Sequence, residues 1–276
     1  MTEPKISIQV LSDLHLEINR PETRGENLYD YEFAVKAEIL ALLGDIGLSR
    51  DRELFEWLRA QLARFEVVFY VVGNHEPYIS NLDESRDRFL KFSAEVEAER
   101  ASTKGPNGKA LGQFVFLNRN RYDLSSTVTV LGCTLWSRLN PDDVDIIHLS
   151  LVDFRAIGGL DPEKFQALHR KDLDWLNESV QDIEKKEPHR EIIILTHHAP
   201  TMEGTSDPRF EAGPLSSAFA TELVKEPCWG RRVKVWAFGH THWNCDFVKE
   251  GVRVYSNQRG YKEGEPGYHS SKVLEF

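Results

Sequence analysis

Five short apolar runs in this chain each stop abruptly on a polar motif. In order, the motifs are Ser12-Asp13-Leu14-His15, Gly44-Asp45, Gly73-Asn74-His75-Glu76, Thr196-His197-His198 and Gly239-His240-Thr241-His242. The runs before them occupy residues 6–11, 39–43, 67–72, 191–195 and 233–238. They are short and rich in Val, Ile and Leu, so they read as strands. Continuous apolar runs of this length belong to strands covered on both faces.

Helical spacing fills the intervals. Residues 51–65 carry Leu54, Leu58, Leu62 and Phe65 on one side, and residues 82–100 carry Phe89, Phe92 and Val96. Asp161-Pro162-Glu163 opens a long helix to residue 186, with Asp161 as N-cap and Pro162 at the first helical position. Residues 114–117, 122–124 and 127–131 read as further strands, and residues 245–248 and 251–255 as a hairpin around Lys249-Glu250. The stretches 102–112 and 201–213 read as loops, and 139–159 as irregular. Strands alternating with helices predict an α/β fold with a largely parallel sheet. No repeat, linker or low-complexity segment interrupts residues 1–276, so one domain is expected. Ligands in open α/β sheets sit at the carboxyl ends of strands. The five motifs can therefore meet although they run from Asp13 to His242.

With 276 residues, 41% of them apolar, the chain can bury a large core. No stretch approaches the roughly 20 apolar residues of a membrane helix, and no secretory leader is visible, so no membrane role is expected. The three cysteines, Cys133, Cys228 and Cys245, are scattered and form neither a disulfide framework nor a zinc-knuckle spacing. A reducing cytoplasmic compartment is expected. A formal net charge of −10 gives no electrostatic reason to bind a long polyanion, so no extended nucleic-acid surface is expected.

Each motif alone is weak, since Gly-Asp is a common turn dipeptide and a lone Asp-x-His is more often a turn aspartate with a surface histidine. Together they supply His, Asp and Asn ligands for two metal ions, and such pairs commonly hydrolyse phosphate esters. Asp13 and His15 are two apart, so an extended backbone would point both to one side; His240 and His242 repeat that spacing. The two oxygens of Asp45 can bridge two cations. Asn74 offers a neutral oxygen ligand, and His75 beside it can donate a proton or hydrogen bond to the phosphate or the leaving group. His197 and His198 are adjacent, so only one is expected to face the metals; His197 is favoured, with His198 behind it. Glu76 is expected to orient a neighbouring histidine.

These motifs resemble the signature of the calcineurin-like metallophosphoesterase superfamily: D-x-H, G-D, G-N-H-[DE], H and G-H-x-H, in that order. The resemblance spans Asp13 to His242. It implies a four-layer α/β/β/α sandwich with a dimetal site at one edge. It also implies one metal on Asp13, His15, Asp45 and His242 and another on Asp45, Asn74, His197 and His240, with Asp45 bridging and His75 as the outer-sphere acid. Thr134-Leu135-Trp136-Ser137 and Asp153-Phe154-Arg155 resemble an intracellular phosphoesterase branch. Purple acid phosphatases, within the same superfamily, place a tyrosine where this chain has Leu48, so no tyrosinate ligand is expected there. Mn, Zn and Fe all suit these ligands.

The resulting expectation is a metal-bridging hydroxide attacking phosphorus, on small-molecule phosphodiesters or phosphomonoesters. Asn74, His75 and Arg155 are candidate substrate contacts, Arg155 as a bidentate phosphate clamp. Tyr78, Trp136, Phe154 and Trp243 could wall a base- or aryl-binding pocket, although each is more often core. A protein phosphatase or nuclease with the same site, or a non-catalytic scaffold, would be the alternatives. Natural substrate and oligomeric state are not written in these motifs.

Overall fold

The structure, a computed structural model, describes residues 6–19, 28–102, 110–261 and 266–276. Two sheets lie face to face with helices outside both. The first sheet has the order β11-β1-β2-β3-β4, built from β1 (Ser7–Leu11), β2 (Ile39–Leu43), β3 (Val67–Val71), β4 (Gln113–Phe116) and β11 (Val273–Glu275). The second has the order β5-β6-β7-β8-β10-β9. Its strands are β5 (Asn120–Asp123), β6 (Val128–Cys133), β7 (Glu191–Thr196), β8 (Val233–Phe238), β9 (Asp246–Lys249) and β10 (Val252–Ser256). The interior pairs are parallel, the antiparallel strands β11, β5 and β9 form three edges, and β4, parallel to β3, forms the fourth.

Strand periodicity explains the continuous apolar runs. In β2, Ala41 and Leu43 face the other sheet, where they join Val10, Phe69, Ile193, Leu195 and Ala237. Leu40 and Leu42 face the opposite way, onto α1 (Arg52–Leu62) and α2 (Leu82–Ser102), through Leu54, Leu58, Phe89 and Phe92. In the second sheet Ile192, Ile194 and Trp236 pack under α5 (Pro162–Lys186) against Leu176, Val180 and Ile183. A strand covered on both sides has no polar face, so the periodicity of two is erased. The Asp161 side chain caps α5 by accepting from Lys164 N at 2.7 Å.

The expected layers are therefore present, as a mixed α/β fold of two sheets flanked by helices. One expectation fails. Residues 139–159 are not simply irregular: they hold α3 (Val144–Ser150) and α4 (Asp153–Ala156). Ile147, Leu151 and Ile157 pack with Trp136 and Phe165 into a separate small core. Elements this short have too few turns for their spacing to stand out. The predicted loop at 102–112 falls partly outside the described residues. No helix among the described residues is long and apolar enough to cross a membrane.

Candidate metal centre

The chain leaves β1, β2, β3, β7 and β8 at one end of the two sheets, and each exit carries one motif. The exits are tied to one another by backbone. Asp13 N donates to Gly44 O at 3.0 Å, His15 N to Asp45 O at 2.9 Å, and Gly239 N to His197 O at 2.9 Å. Glycine makes the close packing possible at two of them. Gly44 has φ +87°, and a Cβ on Gly73 would fall on the Asp45 carboxylate and backbone nitrogen.

The extended backbone expected for Asp-x-His and His-x-His does not occur. Asp13 (φ 53°), His15 (φ 45°), Asp45 (φ 52°), His240 (φ 72°) and His242 (φ 52°) all adopt left-handed backbone. Asp13 and His15 still fall into one set of potential ligands, whereas His240 and His242 fall into different sets. Left-handed non-glycine residues cost about 1 kcal/mol or more each, and such strain gathers at functional sites.

Three sets of potential ligand atoms converge: Asp13, His15 and His242; Asp45, His197 and His240; and His15, Asp45 and His75. Asp45 joins them. Its Oδ1 lies 3.5 Å from His197 Nε2, and its Oδ2 lies 3.9 Å from both His15 Nε2 and His75 Nε2. Asp45 Oδ1 also accepts from His75 N at 2.8 Å. On the first side, His242 Nε2 sits 3.4 Å from Asp13 Oδ1 and 3.1 Å from His15 Nε2. Asp13 accepts from His240 N at 3.0 Å, which links the two sheets.

The donor set fits cations on chemical grounds. His197 Nδ1 lies 2.8 Å from the Leu43 carbonyl, which can only accept, so the proton is on Nδ1 and Nε2 carries a lone pair. That lone pair faces Asn74 Oδ1 at 2.9 Å. The amide cannot be flipped to relieve this, because Asn74 Nδ2 donates to Asp153 Oδ1 at 2.8 Å. Burial lowers the pKa of His197 and so disfavours a second proton. Two acceptors held face to face call for a cation. His240 Nε2 is likewise buried without a hydrogen-bond partner among the described residues. Burial, with the neighbouring His198 and His197, holds the His240 pKa well down, leaving the neutral imidazole that metals require.

His198 turns away from this cluster. Its Nδ1 meets Ser137 Oγ at 2.8 Å, and its ring packs 4.0 Å from that of His240. Two expected roles need correction. Glu76 touches no histidine: it accepts from Gly73 N at 2.7 Å, Ile46 N at 3.0 Å, Asp45 N at 3.2 Å and the Tyr70 hydroxyl at 2.8 Å. It holds two loops together rather than aiming an imidazole. Arg155 is no clamp, since it is exposed, bonds the Leu149 carbonyl at 2.8 Å and does not line the site. On one turn of helix, the Asp153 side reaches Asn74 and the Arg155 side does not.

The carboxylate that does aim histidines is Glu17, which sequence reasoning missed. Its Oε1 lies 3.2 Å from His15 Nδ1 and 3.1 Å from His75 Nδ1. Burial would raise the Glu17 pKa, but hydrogen bonds from His15 and His75 bring it down to about 2. Burial alone would lower His75, yet Asp45 and Glu17 outweigh it and push it up to about 9. Asp13 is held at about 2, because His242 overcomes the effect of burial. Tyr261 was also missed. Its hydroxyl lies 3.1 Å from His75 Nε2, and its ring packs 4.4 Å from His15. The one available signal was Glu17 itself, two residues beyond His15 in an Asp-x-His-x-Glu alternation; nothing near Tyr261 marks it.

The cluster opens into a cavity of about 300 Å³ walled by Asn74, His75, Tyr78, Asp153, Phe219 and Tyr261 among others. Of the aromatic residues considered from sequence, Tyr78 lines it, stacked on His75 at 4.2 Å. Trp136 and Phe154 belong to the small core instead.

Residues 6–244 match the calcineurin-like phosphoesterase family, Metallophos, and the chain belongs to it. Members of this family are generally hydrolases of phosphate esters. The chain is 29% identical over 282 aligned residues to "Uncharacterized protein L509" of Acanthamoeba polyphaga mimivirus, covering 98% of this chain and 96% of that protein. Its fold is similar to the crystal structure of phosphopantetheinyl hydrolase (PptH) from Mycobacterium tuberculosis. That match has a TM-score of 0.68 and 16% identity, over 99% of this chain and 96% of the other.

Proposed function

We propose that this chain is a dimetal-dependent hydrolase of phosphate esters, acting on small-molecule phosphodiesters or phosphomonoesters in the cytoplasm. The observation that carries the reading is the position of Asp45. One of its oxygens faces the His197 side and the other faces the His15 side, so Asp45 could serve both sets of ligands. Asp13, His15 and His242 would complete one set of ligands, and Asn74, His197 and His240 the other. When bound, two divalent ions such as Mn, Zn or Fe would act as Lewis acids toward the phosphoester and lower the pKa of water.

The chain's own residues supply the rest. Glu17 fixes the ring planes of His15 and His75 through their Nδ1 atoms. His75 is left with one nitrogen toward the cavity, where Tyr261 now bonds it. In its protonated form, His75 would donate from Nε2 to a phosphoryl oxygen or to the departing group. Asp153 keeps the Asn74 carbonyl oxygen turned toward the cluster by accepting from the amide nitrogen.

The test is turnover of bis(p-nitrophenyl) phosphate and p-nitrophenyl phosphate by chelator-stripped protein after Mn²⁺ is restored, with metal content measured in parallel. Turnover that needs metal and disappears in Asp45→Asn is the expected result. Bound metal below one equivalent, or turnover that survives Asp45→Asn, would overturn the reading.

A further inference from the structure

A second cavity adjoins the first. It encloses about 320 Å³ and is lined by Phe210, Pro214, Leu215, Phe219 and Thr241, with Ser206, Asp207, Gly213 and Ser216 at its margin. Leu215, Phe219 and Thr241 line both cavities, so the two are neighbours. The shared wall begins at the candidate ligands, because the Phe219 ring stacks on that of His240 with centroids 4.7 Å apart. Phe210 is 64% exposed, an apolar ring at the margin of this cavity. Val152, 53% exposed, lines the first cavity. The Asp207 carboxylate is matched by the Arg209 guanidinium, whose Nε lies 3.0 Å from it. That guanidinium also sits 5.5 Å from the Phe210 ring centre. Most of the remaining lining is apolar carbon.

Given the phosphoesterase reading, on which this rests, we propose that this second cavity is a subsite for an uncharged aromatic ester substituent of the substrate. A phosphoester bound at the cluster has one substituent leaving and, in a diester, another staying. A concave apolar chamber of this size beside reactive polar groups is what a ring-sized substituent needs. Phe210 and Phe219 offer the ring faces against which it packs. Phe210 is the specificity-determining residue, because it lines this cavity and not the first.

Two probes test this with metal-restored protein. In the first, turnover of bis(p-nitrophenyl) phosphate is compared with that of methyl p-nitrophenyl phosphate, which shares the leaving group and differs in the other ester. Wild type should favour the aryl diester by about tenfold or more in kcat/KM, the scale of gain that an apolar pocket gives. Phe210→Ala should lower that ratio by about tenfold, and Phe210→Tyr should retain it. In the second, calorimetry compares the binding of phenylphosphonate and methylphosphonate, which are not hydrolysed. The phenyl compound should bind more tightly to wild type, and Phe210→Ala should close the gap. A closed gap without turnover of any ester would leave the subsite standing and remove the phosphoesterase reading. No aryl preference in wild type, or a preference indifferent to Phe210→Ala, would overturn the subsite.

Discussion

Glu76 carries the sharpest prediction about how the centre is held. Its side chain is fully buried, and each carboxylate oxygen accepts two bonds: Oε2 from Gly73 N and Asp45 N, Oε1 from Ile46 N and the Tyr70 hydroxyl. Glu76→Gln keeps the shape and replaces one oxygen by an NH₂ group. Placed at Oε2, the NH₂ faces two backbone donors. Placed at Oε1, it can donate to a rotated Tyr70 hydroxyl but leaves Ile46 N–H unmet. The cheaper choice thus strands one buried donor, at about 1–3 kcal/mol, and weakens the remaining bonds by removing the charge, for a total on the order of 3 kcal/mol. Burial, with Asp45 nearby, raises the Glu76 pKa to about 7, so the comparison belongs at pH 8, where the wild-type group is ionised. Denaturant unfolding of chelator-stripped protein reads the stability loss. Metal titration should show affinity about 10–100-fold lower, because the loops bearing Asp45 and Asn74 are no longer clamped. Tyr70→Phe, which deletes one of the four bonds, should cost only about 1 kcal/mol. Glu76→Gln within about 0.5 kcal/mol of wild type and with unchanged metal affinity would refute the clamp.

Other outcomes follow from the same geometry. His75→Ala should retain metal and lose about 10²–10⁴-fold in rate, and metal loss measured by atomic absorption would instead make His75 a ligand. Glu17 is held at about 2 in the folded, metal-free protein against an ordinary 4.5, so its stabilisation is complete above pH 4.5 and lost as pH falls toward 2. That contribution is at most about 3 kcal/mol, and Glu17→Gln should flatten this part of the pH–stability curve; an unchanged slope would contradict it. Gly73→Ala places a methyl group on the Asp45 carboxylate, so bound metal measured after dialysis should fall sharply, and full occupancy would mean that the two loops can move apart.

What was legible in the sequence was whatever a single strand and its exit determine. The continuous apolar runs of β2 and β7 record burial on both faces, and that condition placed the strands between two layers. Asp161 and Pro162 marked the start of α5 because a cap is a local bond. The ligand residues stood out because His, Asp and Asn, the side chains with atoms suited to metals, end each apolar run. Segment 139–159 was illegible because its two helices are held by Trp136 and Phe165 from elsewhere in the chain, not by their own periodicity.

The failures inside the site share one cause. Glu76 and Arg155 were assigned roles from their neighbours in sequence, whereas a carboxylate's partner is set by which loops the sheets bring against it. Glu76 meets the backbone of the Gly44-Asp45 loop because β2 and β3 are adjacent and parallel. Glu17 meets His75 across the exits of β1 and β3, and Tyr261 arrives from beyond β10. The same logic explains the left-handed ligands. Strain at Asp13, His240 and His242 is tolerated because other chain segments fix those residues: Asp13 accepts from His240 N, and Gln258 accepts from His242 N at 2.6 Å. A sequence can announce ligands because each is chosen for its own atoms. It does not announce the clamps, because each is chosen for a neighbour that only the fold supplies. Variants at Glu76, Glu17 and Gln258 are therefore the ones in which metal affinity should fall although every ligand atom is still present.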